Sequence, residues 1–187
     1  EQLTDIAKST WNPREYVGYS KQLENQDKKT VEEIIEEYHK WDKQNPNTIV
    51  GAEIEMDIKV GEYIIDGKID RVEQTPEGEY VIIDYKTGGK NKKITNLNES
   101  LQLNIYAMGL KAKKKFGKLP KLVSYFYPEK EGQRIFSYEV TQADIDNTKR
   151  KLEGYLKSID DGEFEADPDM KKCGWCNYKD LCDESKA

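Results

Sequence analysis

Two aspartates and a lysine interrupt apolar, strand-like segments of this sequence. Asp84 and Lys86 follow Val81, Ile82 and Ile83, and Asp70 follows Ile69. Aspartate and lysine are depleted from strands, because a half-buried pleated surface favours branched and aromatic side chains. Residues two apart on a strand point to the same face, so the side chains of Asp84 and Lys86 are expected to share one. That face is therefore expected to be chemically active or ion-paired.

The turn between the two acidic strands decides how close the carboxylates come. Thr75-Pro76-Glu77-Gly78 contains the proline and glycine that suit a tight reversal. A symmetric turn places Asp70 opposite Ile83, whereas a one-residue bulge places it directly opposite Asp84. In either register the carboxylates are neighbours, because facing Cβ atoms lie about 5 Å apart and diagonal ones somewhat farther.

Two carboxylates this close favour a bound cation between them. Like charges at this distance destabilise a sheet unless a proton or a cation lies between them. Mg²⁺ fits, since it is usually bound by one or two carboxylates together with water and a phosphate oxygen. Lys86 would point at the same site, where its ammonium can orient or deprotonate a water or neutralise charge on a phosphate. The alternative is a purely structural ion pair among Asp70, Asp84 and a nearby lysine or Arg71.

The segments around these residues predict an α/β domain. Alternating apolar residues predict strands, and apolar residues at helical spacing predict amphipathic helices. The first three strands form a meander, and a capping pattern at Thr141 and Asp144 starts a long final helix. Strands are expected at 49–60, 63–74, 79–86, 122–127 and 134–140, and helices at 28–41, at 99–116 and after residue 141.

Three short motifs, in this order, resemble a known nuclease family. They are Gly67-Lys68-Ile69-Asp70-Arg71, Ile82-Ile83-Asp84-Tyr85-Lys86-Thr87-Gly88 and Gln102-Leu103-Asn104-Ile105-Tyr106. They resemble the patterns G-x-[IV]-D-R, [IV]-[IV]-D-[YF]-K-[TS]-G and Q-L-x-x-Y of the RecB-like branch of the PD-(D/E)XK nucleases. The resemblance covers roughly Ile49 to Asp183 and implies an α/β, restriction-endonuclease-like core, with a central mixed sheet flanked by helices and a cysteine-bearing C-terminal tail.

The resemblance also implies roles for residues of the two strand motifs. Asp70 and Asp84 would bind the metal, the backbone carbonyl of Tyr85 would complete its shell, and Lys86 would be the catalytic lysine. The reaction implied is hydrolysis of a phosphodiester by water.

Three further positions are transferred from the family. Gln102 and Tyr106 match the helix motif beside the site and, as an i, i+4 pair, share one helix face; by residue type alone they would be packing residues. Glu53 matches an acid that members carry on the preceding strand, although other acids share its face. Members also take a histidine ligand from an upstream helix, and His39, the only histidine, is expected to be an ordinary helix residue.

The tail from residue 167 to 187 contains all three cysteines. Cys173, Cys176 and Cys182 form C-x₂-C-x₅-C, and an odd number cannot pair fully into disulfides. Thiolate ligation of a metal is expected, although zinc and cubane iron-sulfur sites both normally need four protein ligands. The family resemblance implies a [4Fe-4S] cluster whose fourth ligand lies outside this chain; three free thiols are the alternative.

The charge distribution is uneven. A net charge of -6 argues against nucleic acid as a partner, because counterion release favours cationic surfaces. Between Lys86 and Lys121, however, ten lysines accompany a single acid. The group Lys90, Lys92 and Lys93 directly follows the second motif and is predicted to bind the DNA backbone. The lysines from 111 to 115 fit a solvated helix face equally well.

The sequence contains neither a membrane span of about 18 apolar residues nor a signal peptide, so we expect a cytoplasmic protein with no membrane partner. Its 187 residues suit one domain, 1–187. The first residue is Glu1, and relatives are fused to superfamily 1 DNA helicases of the UvrD and Rep kind. We therefore expect a fragment of a longer helicase-nuclease.

These observations predict a Mg²⁺- or Mn²⁺-dependent DNA nuclease. By family analogy it is an exonuclease on single-stranded DNA or DNA ends, acting in repair or recombination with a helicase partner. One alternative is a catalytically incomplete, nuclease-like DNA-binding module of a helicase. Another is a metal-stapled structural domain that docks a protein partner.

Overall fold

The structure, a computed structural model, describes residues 2–12, 18, 20–87 and 95–187. Its strands are β1 (Thr48–Val60), β2 (Tyr63–Gln74), β3 (Tyr80–Tyr85), β4 (Leu122–Phe126) and β5 (Ile135–Glu139). Its helices are α1 (Gln2–Thr10), α2 (Lys21–Gln44), α3 (Leu101–Ala112), α4 (Gln142–Asp160) and α5 (Met170–Trp175), and a 3₁₀ turn, Leu97–Glu99, precedes α3. No helix in these ranges combines the length and apolar composition of a membrane span.

The five strands form one mixed sheet in the order β1-β2-β3-β4-β5. All neighbouring pairs are antiparallel except β3 and β4, which are parallel. A parallel pair requires a crossover connection, and α3 lies within the one that joins them. The expected α/β class, a mixed sheet flanked by helices, is confirmed.

Most helix bounds differ from those expected, because side-chain caps decide where helices begin. The Ser20 hydroxyl accepts from the Leu23 amide, so α2 begins before the expected residue 28. The Ser100 hydroxyl likewise accepts from the Leu103 amide, so α3 begins after the expected residue 99. The short helices α1 and α5 were not expected from the apolar pattern.

The sheet buries apolar side chains on both faces. Along β3, Val81 and Ile83 pack on one face with Phe126 and with Tyr38 and Trp41 of α2. Side chains of alternate residues point to the opposite face, which packs against α3; its buried cluster includes Met56, Val72, Ile82, Leu103, Ala107 and Leu110. Asp84, two residues after Ile82, therefore lies on the α3 side of the sheet.

The β2–β3 turn sets the register that places the acids. The Gly78 amide donates to the Thr75 carbonyl at 2.9 Å, the Thr75 amide donates to the Glu79 carbonyl at 2.8 Å, and Gly78 has a φ of +85°. This is a three-residue hairpin loop with a glycine bulge. Arg71 faces Ile83, so the next pair along the register is Asp70 and Asp84. The bulged alternative is therefore confirmed, and the symmetric turn is wrong.

The chain divides into two compact units, Glu1–Thr148 and Lys149–Ala187. The first contains the whole sheet and α3, and the second contains α5 and the three cysteines. The single domain over residues 1–187 stays a prediction.

Candidate active site

Asp84 is a buried carboxylate at the end of β3. Only 2% of the residue is exposed. Burial raises the pKa of Asp84, and the negative charge of nearby Asp70 raises it further, while the Lys86 ammonium and the Tyr106 hydroxyl oppose the shift. Removal from water is therefore the largest influence on this carboxyl, and any cation at this point would favour its ionised form.

Lys86 is fixed at both its backbone and its ammonium. Its amide donates to the Phe126 carbonyl at 2.9 Å, which extends the pairing of β3 with β4. Its Nζ donates to Gln102 Oε1 at 2.6 Å and forms an ion pair with Asp84 Oδ2 at 2.7 Å. The side chain is 30% exposed, so the ammonium lies where the buried site meets solvent.

Asp70 is held by the backbone of the neighbouring strand. Its Oδ2 accepts a hydrogen bond from the Tyr85 amide at 2.9 Å. The Tyr85 ring lies on the opposite face, where its hydroxyl accepts from Arg71 at 3.2 Å. Tyr85 thus orients the Asp70 carboxylate through its amide and anchors the strand on the opposite face through its hydroxyl.

Gln102 and Tyr106 bring the first turns of α3 to the acids. Gln102 Nε2 donates to the Tyr106 hydroxyl at 3.0 Å, while Gln102 Oε1 receives the Lys86 ammonium. Burial raises the pKa of Tyr106, and the negative charge of Asp84 acts in the same direction. Gln102 therefore does more than pack, since it links the helix directly to the lysine.

Tyr125 is a site neighbour that the sequence did not indicate. Its hydroxyl lies 2.6 Å from Ser100 Oγ and donates to Gln102 Oε1 at 3.4 Å, and its ring centroid lies 5.1 Å from Lys86 Nζ. In the sequence it is one aromatic residue of an apolar strand. The parallel pairing of Tyr125 with Asp84, which no local pattern specifies, is what brings it to the site.

Glu53 does not join the two aspartates in this structure. Its carboxylate is exposed and pairs with Lys68 at 3.3 Å. Its backbone has a φ of +50°, in the left-handed region that a glutamate seldom adopts. Its role as a ligand stays a prediction.

The donor set at the acids nevertheless suits a hard divalent cation. Asp84 Oδ2 is buried, and the Lys86 ammonium meets it at 2.7 Å. One ammonium does not balance two neighbouring carboxylates, and carboxylate oxygens are the ligands that Mg²⁺ or Mn²⁺ binds. Nowhere in the described chain, however, do three or more histidine, cysteine or acidic side chains form a group that could hold a metal.

The purely structural ion pair with Arg71 is not observed. Arg71 lies on the α2 face of the sheet, where it pairs with Asp42 at 2.7 Å and with Glu73 at 2.5 Å. An ion pair between the acids and a lysine, the other version of this alternative, is observed, since Lys86 pairs with Asp84.

The predicted DNA-contacting lysines Lys90, Lys92 and Lys93 lie outside the described residues. Several later lysines of the cationic segment have structural partners. Lys115 donates to the Val50 carbonyl, and Lys118 donates to the Gly78 carbonyl beside the β2–β3 turn. These two lysines therefore stabilise the fold, and the expected helix face does not extend to Lys115, because α3 ends at Ala112.

The three thiols of the second unit are free. Cys173, on α5, is buried, whereas Cys176 and Cys182 are exposed. In the part of the chain that the structure describes they form no metal-binding group, so the described residues do not by themselves build a cluster site.

The sequence matches the family model of the PD-(D/E)XK nuclease superfamily over residues 1–183. No curated protein matches it. Similar solved structures include one from Eubacterium rectale named "Putative exonuclease", with 17% identity, 82% of this chain and 60% of that chain covered, and a TM-score of 0.51. Another is SSO0001, with 21% identity and a TM-score of 0.44. The match covers 71% of this chain and 60% of that chain. The chain thus spans about 60% of the length of each.

Proposed function

Because the chain belongs to the PD-(D/E)XK nuclease superfamily, we propose that it is a Mg²⁺- or Mn²⁺-dependent deoxyribonuclease of the RecB-like branch. The observation that carries this proposal is the meeting of Asp84, Lys86 and Gln102 on one face of the sheet, with Asp70 across the hairpin from Asp84. Two carboxylates, of which Asp84 is buried, beside an ammonium suit phosphodiester hydrolysis, in which a cation must be bound and the charge that develops on the phosphate must be neutralised.

In this proposal Asp70 and Asp84 would hold the cation, with the Tyr85 carbonyl and Glu53 as further oxygen ligands. When bound, such a cation would supply positive charge that polarises a phosphate and lowers the pKa of water. Lys86 offsets the charge that develops on the phosphate, and its contacts with Asp84 and Gln102 position the ammonium for that role.

Gln102 and Tyr106 act on other side chains of the same site. The amide of Gln102 bridges the ammonium of Lys86 and the hydroxyl of Tyr106, so its two ends fix two groups that face Asp84. The Tyr106 hydroxyl accepts from Gln102, so its own proton is left to be donated towards the acid.

We propose single-stranded DNA or DNA ends as the substrate, in repair or recombination in the cytoplasm. Lys90, Lys92 and Lys93 would contact the DNA backbone and give affinity without sequence readout. A helicase in the same polypeptide or complex would supply unwinding.

For the cysteines we propose a [4Fe-4S] cluster with its fourth ligand outside this chain. Anaerobic incubation with iron, sulfide and a small thiol that can supply the missing fourth ligand tests it. A cluster predicts broad visible absorption and protection of all three thiols from alkylation; thiols that remain reactive after the incubation contradict it.

The alternative is a nuclease-like module that binds DNA without turnover. It is favoured by the ligand count, because Glu53 is paired with Lys68 and no third acid, cysteine or histidine in the described ranges completes the group.

A cleavage assay on end-labelled single-stranded DNA tests the proposal. Wild-type protein should degrade the substrate with Mn²⁺ or Mg²⁺ and stop when a chelator is added. Asp84→Ala and Lys86→Ala should each lower the rate at least about a hundredfold, because each removes a group assigned to the reacting phosphate or its cation. Circular dichroism should show that both variants keep the fold.

Two substitutions away from Asp84 and Lys86 serve as controls. Asp66→Asn changes an exposed acid of β2, and Lys118→Ala removes a lysine that pairs with Glu79. Both should cleave at the wild-type rate. If wild-type protein binds DNA yet never cleaves it with Mn²⁺, and the Asp84 and Lys86 variants bind equally well, the module without turnover is correct.

A further inference from the structure

Lys86 has a neighbour on β4 that belongs to none of the three motifs. Tyr125 is the residue that pairs with Asp84 across the parallel β3–β4 ladder. Paired residues on adjacent strands point to the same face, so the Tyr125 ring lies beside the Asp84 carboxylate. Lys86, two residues further along β3, extends over this ring, with its Nζ 5.1 Å from the ring centroid.

The ring restrains the one flexible charge of the site. A lysine side chain has four rotatable bonds and loses much rotamer freedom when it is held in one position. An ammonium within about 6 Å of a ring centroid is attracted to the aromatic face, and the attraction grows as the pair is desolvated. Asp84 and Gln102 hold the ammonium through polar contacts, and Tyr125 adds an apolar surface.

The hydroxyl of Tyr125 contacts the same Gln102 oxygen that accepts from Lys86. It lies 2.6 Å from Ser100 Oγ and donates at 3.4 Å to Gln102 Oε1, the atom that also accepts from Lys86. Ser100 is itself the N-cap of α3, where its hydroxyl accepts from the Leu103 amide. Tyr125 therefore connects β4 to the start of the helix that presents Gln102.

We propose that Tyr125 is a positioning residue for Lys86, with its ring supporting the ammonium and its hydroxyl holding the Gln102 carbonyl. The inference rests on the proposed nuclease function for its effect on rate, but the placement of the lysine is measurable without turnover. Tyr125 touches neither substrate nor cation in this account, and it acts through Lys86 and Gln102.

A second tyrosine-lysine pair on the same sheet provides a matched control. Tyr80 lies at the other end of β3, partly buried against the same apolar cluster as Tyr125, with Lys118 Nζ 5.2 Å from its ring centroid. A substitution at Tyr80 thus removes the same kind of contact from the same core without touching Lys86. It separates the loss of a cation–π pair in general from the loss of this one.

The experiment combines a spectroscopic and a kinetic measurement on Tyr125→Phe, Tyr125→Leu and Tyr80→Leu. The ε-methylene protons of Lys86, assigned by comparison with Lys86→Ala, should be shifted upfield by the ring in the wild-type protein. This shift should persist in Tyr125→Phe and Tyr80→Leu and disappear in Tyr125→Leu.

The kinetic measurement is single-stranded DNA cleavage under Mn²⁺. Tyr125→Leu should lower kcat about tenfold, as expected for loss of a partly desolvated cation–π contact. Tyr125→Phe should lower it about threefold, because the ring stays and only the hydroxyl contacts to Gln102 and Ser100 are lost. KM should stay within about twofold in both, since Tyr125 does not contact the substrate, and Tyr80→Leu should match the wild type.

Wild-type kcat in Tyr125→Leu, or no upfield shift of Lys86 in the wild-type protein, would overturn the inference. If Tyr125→Leu does not fold, the wild-type shift and the kcat of Tyr125→Phe decide. If wild-type protein does not cleave DNA at all, the nuclease proposal fails by itself. The Lys86 shift, present in wild type and lost in Tyr125→Leu, then still supports the positioning contact, and its absence still refutes it.

Discussion

Asp84 is a carboxylate that folding places where its charge is least favourable. The side chain is buried on the α3 face of the sheet, next to a second carboxylate, and burial raises its pKa. Natural active sites commonly retain such residues at the expense of stability, because the same charge is needed for function. The neutral form of this residue should therefore suit the metal-free fold better than the ionised form.

We predict that Asp84→Asn stabilises the metal-free protein at neutral pH, by an amount on the order of 1 kcal/mol in the free energy of unfolding. Because the pKa of Asp84 is raised on folding, the native state binds its proton more tightly than the unfolded state does. The contribution of Asp84 to stability is therefore greatest at low pH and falls as pH rises through the folded-state pKa.

Urea unfolding at several pH values measures this effect. The gain from Asp84→Asn should be present at pH 7 and shrink as the pH falls towards about 3, below the ordinary aspartate pKa of about 3.9, where the wild-type carboxyl is largely protonated in both states. Glu139→Gln, at an exposed acid of β5 that faces Leu122, should show no comparable gain. A variant less stable than wild type at pH 7 would mean that the Lys86 ion pair outweighs burial.

The residue types of the sequence predicted the part of the site that depends on local strand alternation. They did not indicate the part that depends on pairing between distant segments. Asp84 and Lys86 could be placed on one face because strand alternation is local. Tyr125 could not, because its contact with Lys86 depends on a parallel pairing between segments separated by a whole crossover. The Lys68 contact of Glu53 was equally out of reach, since it joins two strands and occurs with a left-handed backbone at residue 53 that no local pattern indicates.

At the scale of elements, one turn determines whether the two acids meet. The sequence left the β2–β3 register open between a symmetric turn and a bulge, because both are compatible with Pro76 and Gly78. The structure resolves it through the positive φ of Gly78, which adds one residue to the loop and brings Asp70 opposite Asp84. Glycine is favoured at this position because other residues rarely adopt that conformation.

We predict that Gly78→Ala destabilises the protein by about 1–2 kcal/mol, the usual penalty for a Cβ in the left-handed region. The new methyl group would meet only Gln74 Nε2, at 3.8 Å, so the penalty is conformational and not a clash. Chemical denaturation of the variant measures it.

Gly154→Ala is the matched control for this substitution. Gly154 lies in α4, where an added Cβ meets nothing within 4 Å, so alanine should stabilise the protein by up to about 1 kcal/mol. Effects of the same sign at both glycines would contradict the assignment of the turn.

At the scale of the whole molecule, an acidic protein is proposed to bind a polyanion. The net charge of -6 opposes DNA, so binding must depend on the bound cation and on a local group of lysines. The division into two units, like α1 and α5, could not be predicted from the sequence, because short helices and domain boundaries depend on tertiary contacts more than on periodicity.

We predict that the triple substitution Lys90→Gln, Lys92→Gln and Lys93→Gln reduces the salt dependence of single-stranded DNA binding. Each phosphate contact contributes about 0.7 to the slope of log K against log salt, so the slope should fall by about 2. Fluorescence anisotropy over a range of salt concentrations measures it.

The control triple replaces Lys59, Lys114 and Lys121, which are exposed lysines of the first unit. It changes the net charge by the same amount and should leave the slope unchanged. Equal losses in both triples would show that total charge, and no local lysine group, determines DNA binding.

The most direct test of the account is Mn²⁺ binding without DNA, followed by the electron paramagnetic resonance signal of the free ion. Wild-type protein and Asp66→Asn should each bind about one Mn²⁺ per chain at the acids, and Asp70→Asn and Asp84→Asn should both lose that binding. Equal Mn²⁺ binding by wild-type protein and by both of these variants would contradict the claim that the two carboxylates share one cation.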